Sequence, residues 1–190
     1  MYAVDVDDDG DMDVLSSSTN DESILDDINW YENDGNENFT KHSITTSSVN
    51  TRTVNAADVD GDGDVDVLAA SFEDDTLAWY ENDGNENFTK RTITTSADGA
   101  WSVYAVDVDG DGDMDVLSTS VNDDTIAWHE NDGSENFDEH VIAASAKGAF
   151  YAYAADADGD GDMDVLSASE DDDTIFWYLN DGNENFTKLD

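Results

Sequence analysis

The 190-residue sequence predicts an all-β chain folded as a β-propeller of four four-stranded antiparallel blades. Three observations predict it. The acidic string Asp-x-Asp-Gly-Asp-Gly-Asp-x-Asp starts at Asp58, Asp107 and Asp156, and a variant starts at Asp5 with Asp8 in place of the first glycine. The starts lie 53, 49 and 49 residues apart, and residues 58–88 and 107–137 agree at 23 of 31 positions, so one supersecondary unit is repeated in tandem. Within each unit, short runs of β-branched and aromatic residues alternate with Gly, Asn and Asp, and no segment has apolar residues at helical spacing. Four strands in about 45–50 residues is the arithmetic of a propeller blade. The blades are expected at about residues 1–48, 49–97, 98–146 and 147–190 of a single domain.

The third unit shows the elements in order. Tyr104-Ala105-Val106 is the strand before the acidic loop, and Val116 to Ser120 is the strand after it. Thr125 to Glu130 is a third strand and Phe137 to Ala143 a fourth. Asn-Asp-Gly joins the third to the fourth, a hairpin signal because Gly and Asn tolerate positive φ. No glycine falls inside a proposed strand, and with no proline in the chain the turns rest on Gly, Asn and Asp. Trp30, Trp79, Trp128 and Trp177 stand in the middle of the third strands and are read as packing between blades; sugar stacking is the alternative. The four extra residues of the first interval are placed within 19–29.

Composition narrows the function. Asp and Glu number 49 against 6 Lys and Arg, a formal net charge of −43. Nucleic acid and anionic membrane surfaces are excluded as natural partners, since both need clustered basic residues. No run of 18 apolar residues exists to span a bilayer. The opening Met1-Tyr2-Ala3-Val4-Asp5 has neither a basic start nor an apolar segment, so no signal peptide is expected within it. Without cysteine there is no disulfide framework, zinc–thiolate site or thiol nucleophile. Such acidity often accompanies disorder, but 38% hydrophobic and 10% aromatic residues are enough for a core.

The acidic loops carry the chemistry. In the third loop, Asp107, Asp109, Asp111, Asp113 and Asp115 occupy positions 1, 3, 5, 7 and 9, with Gly112 at position 6. Carboxylates at 1, 3, 5 and 9, the carbonyl of position 7 and one or two waters supply the roughly 6–8 oxygens calcium takes, and glycine allows the turn around the ion. The same positions are Asp5, Asp7, Asp9, Asp11 and Asp13 in the first loop; Asp58, Asp60, Asp62, Asp64 and Asp66 in the second; and Asp156, Asp158, Asp160, Asp162 and Asp164 in the fourth. Magnesium suits the loop less, because it keeps its waters. The loop is not an EF-hand: position 12 is Ser16, Ala69, Ser118 or Ser167 instead of Glu, and the flanks are strand-like. The bland alternative is a solvated acidic turn.

Asp58-Val59-Asp60-Gly61-Asp62-Gly63-Asp64-Val65-Asp66 and its three siblings resemble the calcium loop of the FG-GAP repeat, also called the VCBS repeat, the blade of integrin α-subunit propellers and of many bacterial surface proteins. The resemblance covers essentially the whole chain. It implies a propeller with one Ca2+ per repeat, four per chain, in the loop joining the first two strands of each blade. It also implies side-chain ligands at positions 1, 3, 5 and 9. Asp8 departs from the usual glycine, so the first site is expected to be strained or weaker. Four repeats are fewer than the seven blades typical of the family. The chain is read as a closed four-blade ring, as half of an eight-bladed ring of two chains, or as a fragment of a longer propeller. The eight-bladed homodimer is preferred, because half a ring leaves two apolar blade faces exposed.

No catalytic constellation stands out, and the chain is read as not an enzyme. His42, His129 and His140 are assigned to three different repeat positions, and His129 is read as a packing variant of Tyr80 and Tyr178. There is no Gly-x-Ser-x-Gly elbow and no phosphate-cradling loop. Binding is assigned to variable loops opposite the acidic loops: 49–52, 98–101 and 147–150, and the acidic triplets 73–75, 122–124 and 171–173. Trp101 and Phe150 are candidates for stacking on a sugar, though plugging the start of the innermost strand is preferred, and the triplets are read as a solvated rim. Asn38, Asn87 and Asn185 stand in glycosylation patterns but are read as structural. The expected function is a calcium-binding module for extracellular or cell-surface interaction or adhesion. A carbohydrate-binding, lectin-like propeller and an accessory fragment of a polysaccharide-degrading enzyme are the alternatives.

Overall fold

The computed structural model describes residues 1–18, 26–171 and 173–189. Blade 1 contains β1 (Tyr2–Val4), β2 (Asp13–Ser18), β3 (Asp26–Asn33) and β4 (Phe39–Ser48). Blade 2 contains β5 (Thr51–Ala57), β6 (Asp66–Ser71), β7 (Thr76–Asn82) and β8 (Phe88–Thr94). Blade 3 contains β9 (Ala100–Val106), β10 (Asp115–Ser120), β11 (Thr125–Asn131) and β12 (Phe137–Ala143). Blade 4 contains β13 (Ala149–Ala155), β14 (Asp164–Ser169), β15 (Thr174–Asn180) and β16 (Phe186–Leu189). Each blade is a four-stranded antiparallel meander in sequence order, and no helix occurs among the described residues. The predicted all-β propeller is what forms. Of the stretch 19–29 to which the first interval's extra residues were assigned, 19–25 lie outside the described residues.

Strand pairing sorts each blade into two faces. In blade 3, Tyr104, Leu117, Trp128 and His140 face one another across the four strands and form one row. Ala105, Val116, His129 and Glu139 form the row on the opposite face. We call the Trp-bearing face leading and the other trailing. The leading face of one blade packs on the trailing face of the next, and this happens three times: Leu15, Ile28 and Trp30 on Val54, Ala56, Val67 and Tyr80; Leu68, Leu77 and Trp79 on Ala100, Val103 and Val116; Leu117, Ile126 and Trp128 on Ala152, Ala154, Val165 and Tyr178. Trp30, Trp79 and Trp128 are fully buried there, as expected of inter-blade core. Removing each Leu or Ile side chain from water contributes roughly 1.5–3 kcal/mol.

Hydrogen bonds across the junctions reinforce this packing. The residue four before each tryptophan is Asp26, Asp75 or Asp124, and its carboxylate accepts the N–H of Thr51 (2.9 Å), Gly99 (2.9 Å) or Gly148 (3.0 Å) in the next blade. Gly99 and Gly148 adopt positive φ (69° and 58°), and a Cβ at Gly99 would collide with Asn122. Two faces have no covering blade within the described chain, the trailing face of blade 1 and the leading face of blade 4. The three core clusters join blades 1 and 2, 2 and 3, and 3 and 4.

The innermost strands β1, β5, β9 and β13 line a concave axial cleft of about 380 Å³, with Tyr2, Tyr104, Tyr151 and Tyr153 on its wall. Strands β9 and β13 start earlier than the sequence suggests, so Trp101 and Phe150 lie on strands and not in loops. Trp101 contacts Phe150 (centroids 4.4 Å apart), Phe72 (5.8 Å) and the guanidinium of Arg52 (4.6 Å), so these side chains plug one mouth of the cleft. The other end carries the acidic loops and the Asn-Asp-Gly turns.

Candidate metal centres in the acidic loops

Each acidic loop is wound around its own carboxylates. In the second loop, Asp58 accepts the N–H of Gly61 (2.8 Å) and of Gly63 (3.0 Å). Asp60 accepts from the N–H of Asp62 (3.2 Å) and Asp62 from that of Asp64 (2.9 Å). The third loop repeats every one of these bonds through Asp107, Asp109 and Asp111. Gly61 and Gly63 make the path passable at φ 76° and 101°, a region costly for most side chains. In the first loop Asp8 itself takes φ 58°, and Asp5 accepts from the N–H of Asp9 and Gly10 instead of from position 4. The anticipated difference of this loop is therefore visible in its backbone and its bonding.

The carboxylates at positions 1 and 3 converge in all four loops. Asp5, Asp7 and Asp13; Asp58, Asp60 and Asp62; Asp107, Asp109 and Asp115; and Asp156, Asp158 and Asp160 each offer three oxygens within 4.8 Å of one another. The third member is thus position 9 in two loops and position 5 in the other two. Asp9, Asp111, Asp66 and Asp164 complete the set of positions 5 and 9 from beside these groups. The carboxylates at position 7, Asp11, Asp64, Asp113 and Asp162, lie instead against the turn glycines Gly35, Gly84, Gly133 and Gly182. That leaves position 7 its carbonyl as a donor.

Position 9 is the buried post of the site. Asp13, Asp66, Asp115 and Asp164 are wholly buried. In the second loop, Asp66 accepts the N–H of Val59 (2.9 Å) with one oxygen and that of Asn82 (2.8 Å) with the other. Asp13, Asp115 and Asp164 repeat this pair of bonds to Val6 and Asn33, Val108 and Asn131, and Ala157 and Asn180. One residue therefore ties the acidic loop to the end of the third strand. Burial pushes Asp66 and Asp115 up to about 7, and neighbouring carboxylates add to the rise. Desolvation and crowding also raise Asp7, Asp60, Asp109 and Asp158. These groups lack a positive charge among them, which is the need a divalent ion meets. Oxygen-only donors fit a hard cation and not zinc or copper.

The glycosylation-pattern asparagines are structural. Nδ2 of Asn38, Asn87, Asn136 and Asn185 donates to Asp34, Asp83, Asp132 and Asp181 at 2.9–3.1 Å, closing each Asn-Asp-Gly turn and holding the four aspartates below their usual range. His129 is buried against Ser118 (3.0 Å), and burial pushes it down to about 4, as suits a packing variant. The assignment of the histidines to three separate positions is corrected by the fold. His42 and His140 share one place: each stacks on its blade's tryptophan (4.5 and 4.6 Å) and bonds a glutamate, Glu32 or Glu130 (2.7 and 2.8 Å). Arg91 bonds Glu81 at the same place in blade 2. The extra residues before Trp30 hide this equivalence when positions are counted from the acidic loop.

Sequence reasoning also missed the clamps Asp75 and Asp124, which close two triplets read as solvated rim. The signal was available, since the residue four before each tryptophan is always Asp. Asp172 of the last triplet lies outside the described residues.

Comparison with known proteins agrees with this picture. No curated protein matches the chain. Among solved structures, the chain resembles a lectin of Agrocybe aegerita whose structure concerns recognition of non-reducing terminal N-acetylglucosamine, with 19% identity and a TM-score of 0.60. The match covers 93% of this chain and 52% of that one, so this chain spans about half the length of the lectin. The model of the FG-GAP-like repeat matches residues 5–69, 58–118, 107–167 and 156–190, and the chain belongs to that family.

Proposed function

We propose that the protein is a non-enzymatic, calcium-binding propeller module for interaction or adhesion at a cell surface or in the extracellular medium, with calcium in a structural role. The observation that carries this reading is the convergence of three carboxylate oxygens at one equivalent point in each of four loops. Calcium there neutralises carboxylates that burial and crowding otherwise drive toward protonation, and it braces the loop between the first two strands. Binding energy then becomes folding energy. Sites of extracellular modules bind at roughly 10⁻⁴–10⁻³ M, so 10 mM calcium adds about 1.4–2.7 kcal/mol per site. Thermal melting in calcium and in chelator tests the reading. A marked rise of Tm in calcium is expected, and an unchanged Tm overturns it.

Carbohydrate binding is a second reading. The tyrosine-lined axial cleft beside Trp101 favours it, together with the likeness in fold to a lectin. A glycan array with hits lost in Trp101→Ala would support it, and a blank array would remove it.

A further inference from the structure

We propose that a second copy of this chain covers the two open blade faces, so that two four-bladed arcs close one eight-bladed ring. The leading face of blade 4 in each copy sits on the trailing face of blade 1 in the other.

The argument rests on a junction the chain already builds three times. The leading row of blade 4 is Tyr153, Leu166, Trp177 and Leu189, in the register of Tyr104, Leu117, Trp128 and His140 in blade 3. Its neighbour on that face, Ile175, is 76% exposed, while the equivalent Ile28, Leu77 and Ile126 are 0% exposed. Tyr151 and Tyr153 are exposed, and a shallow apolar hollow of about 170 Å³ lies between them, Leu166 and Ile175. The trailing row of blade 1 is Ala3, Val14, Tyr31 and Lys41, in the register of Ala56, Val67, Tyr80 and Lys90 in blade 2. Val67 and Tyr80 are buried by blade 1, whereas Val14 and Tyr31 are only half-buried and Ala3 is exposed. The two uncovered surfaces are thus the two halves of the chain's own internal junction.

The end face also bears the wrong chemistry for solvent. A repeat array that ends in water needs a polar outer face on its terminal repeat. Blade 4 has the reverse. Where blade 3 presents Ser102, Thr119, Glu130 and His140 on its leading side, blade 4 presents Tyr151, Ala168, Leu179 and Leu189. The one leading face left open is therefore more apolar than a leading face that is covered. A head-to-tail contact either closes into a ring or runs on as a filament. Two copies close the ring if four blades span half a turn. The 52% of the lectin's chain that this chain matches fits that span.

Light scattering coupled to size exclusion, on the full chain in calcium, reads the mass. Twice the 20.7 kDa of one chain is expected, unchanged on dilution over a tenfold range. A single-chain mass, or a mass that climbs past two chains with concentration, overturns the proposal. Ile175→Glu and Val14→Glu each place a charge on one open face, and each alone is expected to give single chains with an unchanged far-UV circular dichroism spectrum. Val141→Glu, on an exposed position of β12, is the control and keeps the double mass. Mixing the Ile175→Glu and Val14→Glu chains leaves one undamaged junction per pair, so the mass rises where each alone stays single. No rise on mixing, or a dimer that survives Ile175→Glu, overturns the head-to-tail ring. These readouts report mass and not metal, so they stand apart from the melting experiment.

Discussion

Asp66 and Asp115 do two things at once. Each holds two backbone N–H groups in a buried place, and each adds charge beside an acidic cluster. Their carboxyls, pushed up to about 7 when folded, release the proton near 3.8 when unfolded. Between these values the folded chain binds more protons than the unfolded one, so its stability falls as pH rises through that window. The calcium-free protein is therefore expected to melt higher at pH 5 than at pH 8. With calcium the sign reverses, because protons compete with the ion for the same oxygens and binding strengthens with pH. Melting curves at the two pH values, with calcium and with chelator, check both slopes. Parallel slopes would remove the link between these aspartates and the metal.

At the scale of elements, the clamps from one blade to the next are the most testable feature. Asp124 accepts the N–H of Gly148 at 3.0 Å from the segment that leads into β13. Asp124→Ala leaves that N–H without its acceptor and is expected to cost about 1–3 kcal/mol. Asp124→Asn keeps a side-chain oxygen and should cost less, and urea unfolding of the two variants measures the difference. The strands, turns and inter-blade tryptophans were legible in the sequence because each has a local signature: β-branched runs, Asn-Asp-Gly, and a tryptophan in mid-strand. The positions of the acidic loop were legible for the same reason. The clamps were harder to read, since their partner is a backbone N–H 24 residues on, with no side chain to mark it. The early start of β9 and β13 was hidden too, because Asp98-Gly99 and Lys147-Gly148 look like loop up to the residue where the strand begins. The burial of Asp66 and its siblings had no local signature, as it comes from the neighbouring blade and the end of the third strand.

For the whole molecule, the net charge of −43 is the quantity that calcium changes most locally and least globally. Four divalent ions would carry only eight positive charges, so most of the acidity stays on turns and rims, screened by salt. The effect of the metal is concentrated where carboxylates converge, and the four loops do not offer it equal terms. Three have glycine at position 4, with φ between 76° and 85°. In the first, Asp8 takes that conformation at φ 58° and brings one more negative charge. Left-handed backbone costs an L-residue roughly 1–2 kcal/mol, somewhat less for Asp, and the altered bonding of Asp5 moves the first ligand's partners. Calorimetric titration of the chelated chain is thus expected to show three sites of similar affinity and a fourth, weaker one. Asp8→Gly removes the left-handed side chain and restores the bonding pattern of the other loops, and it is expected to merge the fourth site with the three and raise calcium-bound stability by about 0.5–1 kcal/mol. Four equal sites before the substitution would show that the side chain at position 4 does not set the affinity of the loop.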